Sequence, residues 1–244
     1  MKACVIIPAR FASTRFPGKP LTPLLGKPMI LWVAELCALA VGSDNVFVAT
    51  EDERIVEVVD DAGFSALLTS ANALTGTDRV AEAAQMINYD IYVNVQGDEP
   101  LVKPSDIRRA IELKALYPQK VINGFCFIQP SENPASVNIP KVITNERNQM
   151  IYMSRSLVPG FKDKKNQPAL YKKQVCIYAF TRKELSAFTN YGHKSLLEKA
   201  EDIEILRFIE LDKEILMYEC QPGSLAVDIP DDVPAVELQL GRLD

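Results

Sequence analysis

Long apolar runs are missing from this 244-residue sequence: no stretch approaches the roughly 20 residues of a membrane span. The opening MKACVIIPAR is far too short for a signal peptide, so the expectation is a cytoplasmic protein. Cysteine is sparse. Cys4, Cys37, Cys126, Cys176 and Cys220 are widely spaced with no C-x-x-C pair, which argues against a metal or redox motif and for buried free thiols in a reducing compartment. Histidine and tryptophan occur once each. His193 lies in TNYGHKS, a turn that exposes its imidazole, and is not taken as a base; Trp32 sits on the apolar face of a helix and reads as core. Basic excess is also missing. A net charge of -5 argues against a broad nucleic-acid-binding face and gives local basic clusters more weight.

What is present is an ordinary globular composition, 48% hydrophobic and 24% charged, with material for one large α/β domain or a domain carrying an insertion. Short β-branched runs alternate with helical patterns through the first half. ACVIIP, NVFVAT, SALLT and DIYVNVQ read as strands; Met29–Val41, Asp52–Ala62, Asp78–Met86 and Pro104–Leu116 read as helices. That order predicts a parallel sheet covered by helices on both faces, with ligands bound beyond the carboxyl ends of the strands. From Val121 the rhythm changes. VINGFCFI, KVITNE, QVCIYAF and ILMYEC are strand candidates in a mixed or antiparallel extension, and SLVPGFKDKKNQPALYKK reads as a mobile surface connection.

Three motifs stand out, the first two at predicted strand ends and the third after a short apolar run. IPARFASTRFPGKPL delivers Arg10, Arg15 and Lys19 to the ligand edge, with Ser13, Thr14 and Gly18 as donors for an approaching anion, a triphosphate above all. It is neither a Walker loop nor a dinucleotide glycine motif, and a solvated basic loop would show the same spacing. NVQGDEP places Asp98 and Glu99 at the end of a central strand, where a carboxylate can hold Mg²⁺ against phosphate oxygens; a turn capped by Asp98 fits it too. In AVDIPDDV, Asp231 and Asp232 suit a helix start, while Asp228 lies earlier, in position for a second metal ligand.

Together with ATEDERI, TGTDR, KVI and YMSR, these motifs occur in an order and spacing that resemble the 3-deoxy-manno-octulosonate cytidylyltransferases, the CMP-Kdo synthetases, over nearly the whole chain. VQGDEP separates that family from the acylneuraminate cytidylyltransferases and the glucose-1-phosphate nucleotidyltransferases. The resemblance implies a Rossmann-like α/β nucleotidyltransferase fold with a mixed, mainly parallel sheet and a smaller sugar-binding and dimerisation extension. It implies one domain, with residues 1–120 mainly nucleotide-binding, 121–190 the extension and 191–244 the return to the core. It implies a Mg²⁺-dependent homodimer that joins CTP to a 3-deoxy-2-ulosonic acid, giving a CMP-sugar for lipopolysaccharide core synthesis and diphosphate. By motif position, Arg10, Ser13, Arg15, Lys19, Thr75, Thr77 and Arg79 would hold the nucleotide. Gln96, Arg155, Gln174, Tyr178 and Glu204 would face the sugar. Asp98 and Asp228 would hold magnesium and, with Lys19, carry the catalysis. A non-catalytic nucleotide-binding protein of the same fold and an acylneuraminate-type enzyme are the competing readings.

Two sugar-facing segments depart from the family pattern. QVCIYAF has Gln174 where members carry histidine, Cys176 for glycine and Phe180 for a second tyrosine, while Tyr178 remains. The helix motif of the family appears as EDIEILR, with Ile205 for glutamine and Glu204 kept. Each change alters a polar group near the sugar and leaves the nucleotide motifs intact, which points to a modified sugar such as the 8-amino-3,8-dideoxy analogue. Its protonated amine would seek carboxylates, with Glu201, Asp202 and Glu204 as candidates.

Overall fold

The computed structural model of the chain describes residues 1–12, 16–223 and 225–242. Strand β1 (Ala3–Pro8) is flanked by β4 (Val46–Thr50) and β6 (Ile91–Val95), both parallel to it, and β5 (Ser65–Leu68) continues the parallel set beyond β4. A two-residue hairpin, β2 (Pro23–Leu24) with β3 (Lys27–Pro28), lies outside this sheet. The direction reverses beyond β6. Strand β10 (Lys172–Phe180) runs antiparallel to both β6 and β7 (Val121–Phe127), and β11 (Ile215–Glu219) returns parallel to β7. The pair β8 (Lys141–Thr144) and β9 (Met150–Ser154) branches from β10. The order β11-β7-β10-β6-β1-β4-β5 is the mixed, mainly parallel α/β sheet that the sequence pattern predicts.

Successive side chains of β1 point to opposite faces, and both faces are covered. Val5 and Ile7 pack with α1 (Met29–Val41), α2 (Glu53–Asp61) and α4 (Pro104–Leu116); Cys4 and Ile6 pack with α3 (Gly76–Met86), α5 (Arg182–Asn190) and α7 (Leu206–Glu210). Helix starts follow local chemistry. The Asp52 and Thr75 side chains cap α2 and α3, and proline occupies the first turn of α4. Thr181 with Glu184 and Ser195 with Glu198 form capping boxes on α5 and on α6 (Leu196–Glu201). Helix α8 (Val233–Leu240) closes the chain against Leu24 and Met29.

Strand β9, which carries most of YMSR, was not among the strand candidates, and its edge position explains its mixed burial. Two expectations are corrected. EDIEILR is two helix ends and not one helix: α6 stops at Glu201, Asp202 adopts a left-handed φ of 50°, and α7 starts at Leu206. The break follows from competing partners, since Glu201 and Glu204 bond to different elements, as described below. Four cysteines are buried, but Cys176 is only half-buried. The lysine-rich connection is exposed over 159–167, and Tyr171 buries its end against the core.

Candidate active site

The carboxyl ends of β1 and β6 open into a cleft with two lobes that share Gln96, Asp98, Asp202, Glu204 and Asp228. The first lobe, about 260 Å³, also takes in Arg10, Lys19, Thr75, Gly76, Arg79 and Lys194. The second, about 560 Å³, extends to Arg155, Lys173, Gln174, Cys176 and Tyr178. A side chain at Gly97 would place its Cβ 3.0 Å from the Pro8 carbonyl oxygen. Glycine lets β6 turn this close to the end of β1 without crowding the Pro8 carbonyl.

Lys19 follows a left-handed Gly18 and reaches the floor shared by the lobes. Its Nζ donates to Asp98 Oδ2 at 2.5 Å and to the Val227 carbonyl at 2.9 Å, while the Val227 N–H donates to the Asp98 carbonyl at 2.9 Å. Asp228, next in the chain, lines both lobes together with Asp98. Asp232 accepts from the N–H groups of Asp228 (2.8 Å) and Ile229 (3.0 Å), which is the capping role expected of it. Ser13 and Arg15 lie outside the described residues. Arg10 is exposed at the mouth of the first lobe.

Other expected nucleotide residues divide. Thr75 caps α3 through the Asp78 N–H at 3.2 Å and lines the first lobe. Arg79 lines it too, held by Glu51 at 2.8 Å and Thr69 Oγ1 at 2.6 Å; burial pulls its pKa down, against the opposing charge of Glu51. Thr77 is buried and does not reach the lobe: its N–H donates to Glu204 Oε2 at 2.8 Å.

The expected sugar residues also have structural partners. Arg155 spends its guanidinium on the carbonyls of Glu201 (2.5 Å), Val137 (3.0 Å) and Asp202 (3.0 Å). Glu201 accepts from Ser154 Oγ (2.6 Å) and the Arg155 N–H (2.8 Å), which ties it to the end of β9 and takes it out of the cleft. Glu204 accepts from the N–H groups of Gly76 (3.0 Å) and Thr77 (2.8 Å) at the start of α3; burial raises its pKa against those donors. Gln96 lines both lobes, with a 3.5 Å contact to Asn94 Oδ1. Gln174 Nε2 donates to the Tyr178 hydroxyl at 3.0 Å, and burial raises the Tyr178 phenol well above its ordinary range.

Sequence reasoning missed Lys194, which bridges to Asp202 at 3.2 Å on the wall of the first lobe, and the Lys173–Glu132 pair in the second. The lysine beside His193 was the available signal. Among the described residues, no group of three or more His, Cys, Asp or Glu side chains could hold a metal alone. Two carboxylates beside a triphosphate-sized lobe nevertheless match Mg²⁺, which takes one or two carboxylates and completes its shell with phosphate oxygens and water.

Residues 4–215 match the model of a family described as cytidylyltransferase. A 3-deoxy-manno-octulosonate cytidylyltransferase of Geobacter metallireducens is 41% identical over 252 residues, covering 99% of both chains. An 8-amino-3,8-dideoxy-manno-octulosonate cytidylyltransferase of Shewanella frigidimarina is 36% identical over 246 residues, covering 98% of this chain and 99% of its own. The solved structure of a CMP:2-keto-3-deoxy-manno-octonic acid synthetase complexed with CTP superposes with a TM-score of 0.92 at 34% identity, covering 100% of each chain.

Proposed function

The chain belongs to the cytidylyltransferase family, and we propose that it transfers CMP from CTP to a sugar acid of the 3-deoxy-manno-octulosonate type, releasing diphosphate. The observation that carries this reading is the floor of the cleft, where Lys19 stands between Asp98 and the Val227–Asp228 segment at the junction of the two lobes. One lobe is cationic enough for a triphosphate through Arg10, Lys19, Arg79 and Lys194, and the other is wide and polar enough for a sugar acid.

The sugar's anomeric hydroxyl oxygen attacks the α-phosphorus in line. The bond from that phosphorus to the bridging oxygen breaks, diphosphate leaves, and the hydroxyl proton passes to solvent. No protein nucleophile is needed; Lys19 and Arg10 neutralise the phosphates, and the shared walls hold the two reactants in line. Asp98 and Asp228 would hold Mg²⁺, which when bound lowers the hydroxyl's pKa and neutralises developing charge.

A panel assay of diphosphate release tests the reading. CTP with a 3-deoxy-octulosonic acid and Mg²⁺ should turn over, while UTP, ATP and acylneuraminate should be poor. Turnover of acylneuraminate alone would favour the acylneuraminate-type enzyme, and release from none would favour a binding protein. We also read the enzyme as a cytoplasmic homodimer whose product feeds lipopolysaccharide core synthesis. Exposed Val137, Ile151 and Leu170 in the extension support a covering second copy, and light scattering should give about twice the 27.1 kDa chain mass.

A further inference from the structure

Hydrogen-bond bookkeeping determines which end of the Gln174 amide faces the second lobe. Asn123, fully buried on β7, places Nδ2 2.9 Å from the Val175 carbonyl and 3.0 Å from the Ile177 carbonyl, across an irregularity in the β7–β10 pairing. Carbonyl oxygens only accept, so those contacts identify the amide nitrogen, and Oδ1 is the atom that Asn123 turns to Gln174. The Gln174 atom 3.3 Å from that oxygen must then be Nε2, which also donates to the Tyr178 hydroxyl at 3.0 Å. Both amide hydrogens are used. No described residue donates to Oε1, which remains the amide's available polar atom in a side chain that lines the lobe.

Three other donors of this wall already have partners. The Tyr178 hydroxyl is hydrogen-bonded to Cys176, Lys173 is paired with Glu132, and Arg155 is held by three carbonyls. A hydroxyl here could donate to Gln174, but its lone pairs would find few donors. An ammonium has three N–H donors and no lone pair, so an acceptor such as Gln174 Oε1 suits it and gains charge assistance.

We propose that Gln174, oriented by Asn123, is a specificity-determining acceptor that selects a sugar acid bearing an ammonium substituent over its hydroxyl counterpart. The proposal rests on the cytidylyltransferase reading above. The sugars that test it are 3-deoxy-manno-octulosonate and its 8-amino-3,8-dideoxy analogue. A hydrogen bond to a charged group is worth more than one between neutral groups, by about tenfold in an equilibrium constant.

The measurement is kcat/KM for both acids with CTP and Mg²⁺, using the full chain and two variants, with melting temperature as the check on folding. The native enzyme should prefer the amino acid sugar about tenfold or more. Gln174→Leu, which deletes the acceptor, should cut that preference about tenfold and leave the KM for CTP unchanged. Gln174→His, whose ring can turn an N–H into the lobe, should cut it too, and it carries the test if the leucine variant does not fold. Equal use of both sugars by the native enzyme, or a preference that both variants keep within twofold, would overturn the role of Gln174 alone. Release from neither sugar would overturn the reading beneath it.

Discussion

Lys19 donates to Asp98 at 2.5 Å and to the Val227 carbonyl at 2.9 Å, so one ammonium both balances the acidic floor and draws the late 227–228 segment to the first strand's loop. Lys19→Met keeps the apolar stem and removes the charge. Its kcat/KM for CTP should fall about 10²–10³-fold, as when one preorganised donor is lost from a developing charge, with the circular dichroism spectrum retained. Two glutamates near the cleft titrate in opposite senses. Burial alone would raise Glu201, but donors from Ser154, the Arg155 N–H and Tyr152 outweigh it and hold its carboxyl below the ordinary 4.5. Burial raises Glu204 above 4.5, despite its amide donors. A depressed carboxyl contributes stability above its unfolded pKa and loses it as pH falls through the folded value, so Glu201 acts below pH 4.5. A raised carboxyl contributes below its unfolded pKa and loses that as pH rises through the folded value, so Glu204 acts above pH 4.5. In urea unfolding measured across pH, Glu201→Gln should flatten the acid-side loss, and Glu204→Gln the loss above pH 4.5. Unaltered profiles in both variants would contradict these assignments.

At the scale of elements, the start of α3 is held twice from the 204–207 segment. Glu204 accepts from the Gly76 and Thr77 N–H groups, and Arg207, fully buried, reaches Asp78 at 2.9 Å as well as Glu198 at 2.7 Å, with its guanidinium over the Phe188 ring. Arg207→Met would strand two buried carboxylates, at a cost of about 3–5 kcal/mol. For a chain of this length that is a fall of roughly 6–20 °C in melting temperature, readable by calorimetry. This clamp was not legible in the sequence, because Glu204 and Gly76 are 128 residues apart and nothing local marks their meeting. Helix α1 was legible to the residue, as a long apolar pattern between Pro28 and Gly42. Helices α5 and α6 could have been read from T-x-x-E at Thr181 and S-x-x-E at Ser195, signals overlooked because the runs behind them are short. Asp98 stands just past the end of β6, where side chains of this sheet class face ligands, whereas Lys19 and Asp228 lie farther from any strand end and were singled out by their motifs. The partners of Arg155 and Glu201 were not legible, since those depend on how β9 folds back on α6.

Across the whole molecule, two apolar cores fill the faces of one sheet while the cleft between its strand ends stays polar and shares five residues between its lobes. A ligand there joins the early basic loop, the α3 start, the 202–204 segment and Asp228, pieces far apart in the chain. Binding should therefore stabilise the fold as a whole. At a concentration about 100-fold above Kd, CTP with Mg²⁺ adds about 2.7 kcal/mol by mass action. At about 2–4 °C per kcal/mol, that raises the melting temperature by roughly 5–10 °C. Chelation by EDTA should remove part of this shift, leaving what Arg10, Lys19 and Arg79 supply by charge alone. Asp228→Asn should show the smaller shift at the outset and lose its response to EDTA, because a neutral amide is a weaker partner for a hard dication. A native shift that is indifferent to EDTA would rule out magnesium at Asp98 and Asp228 while leaving the cationic lobe as the site of CTP.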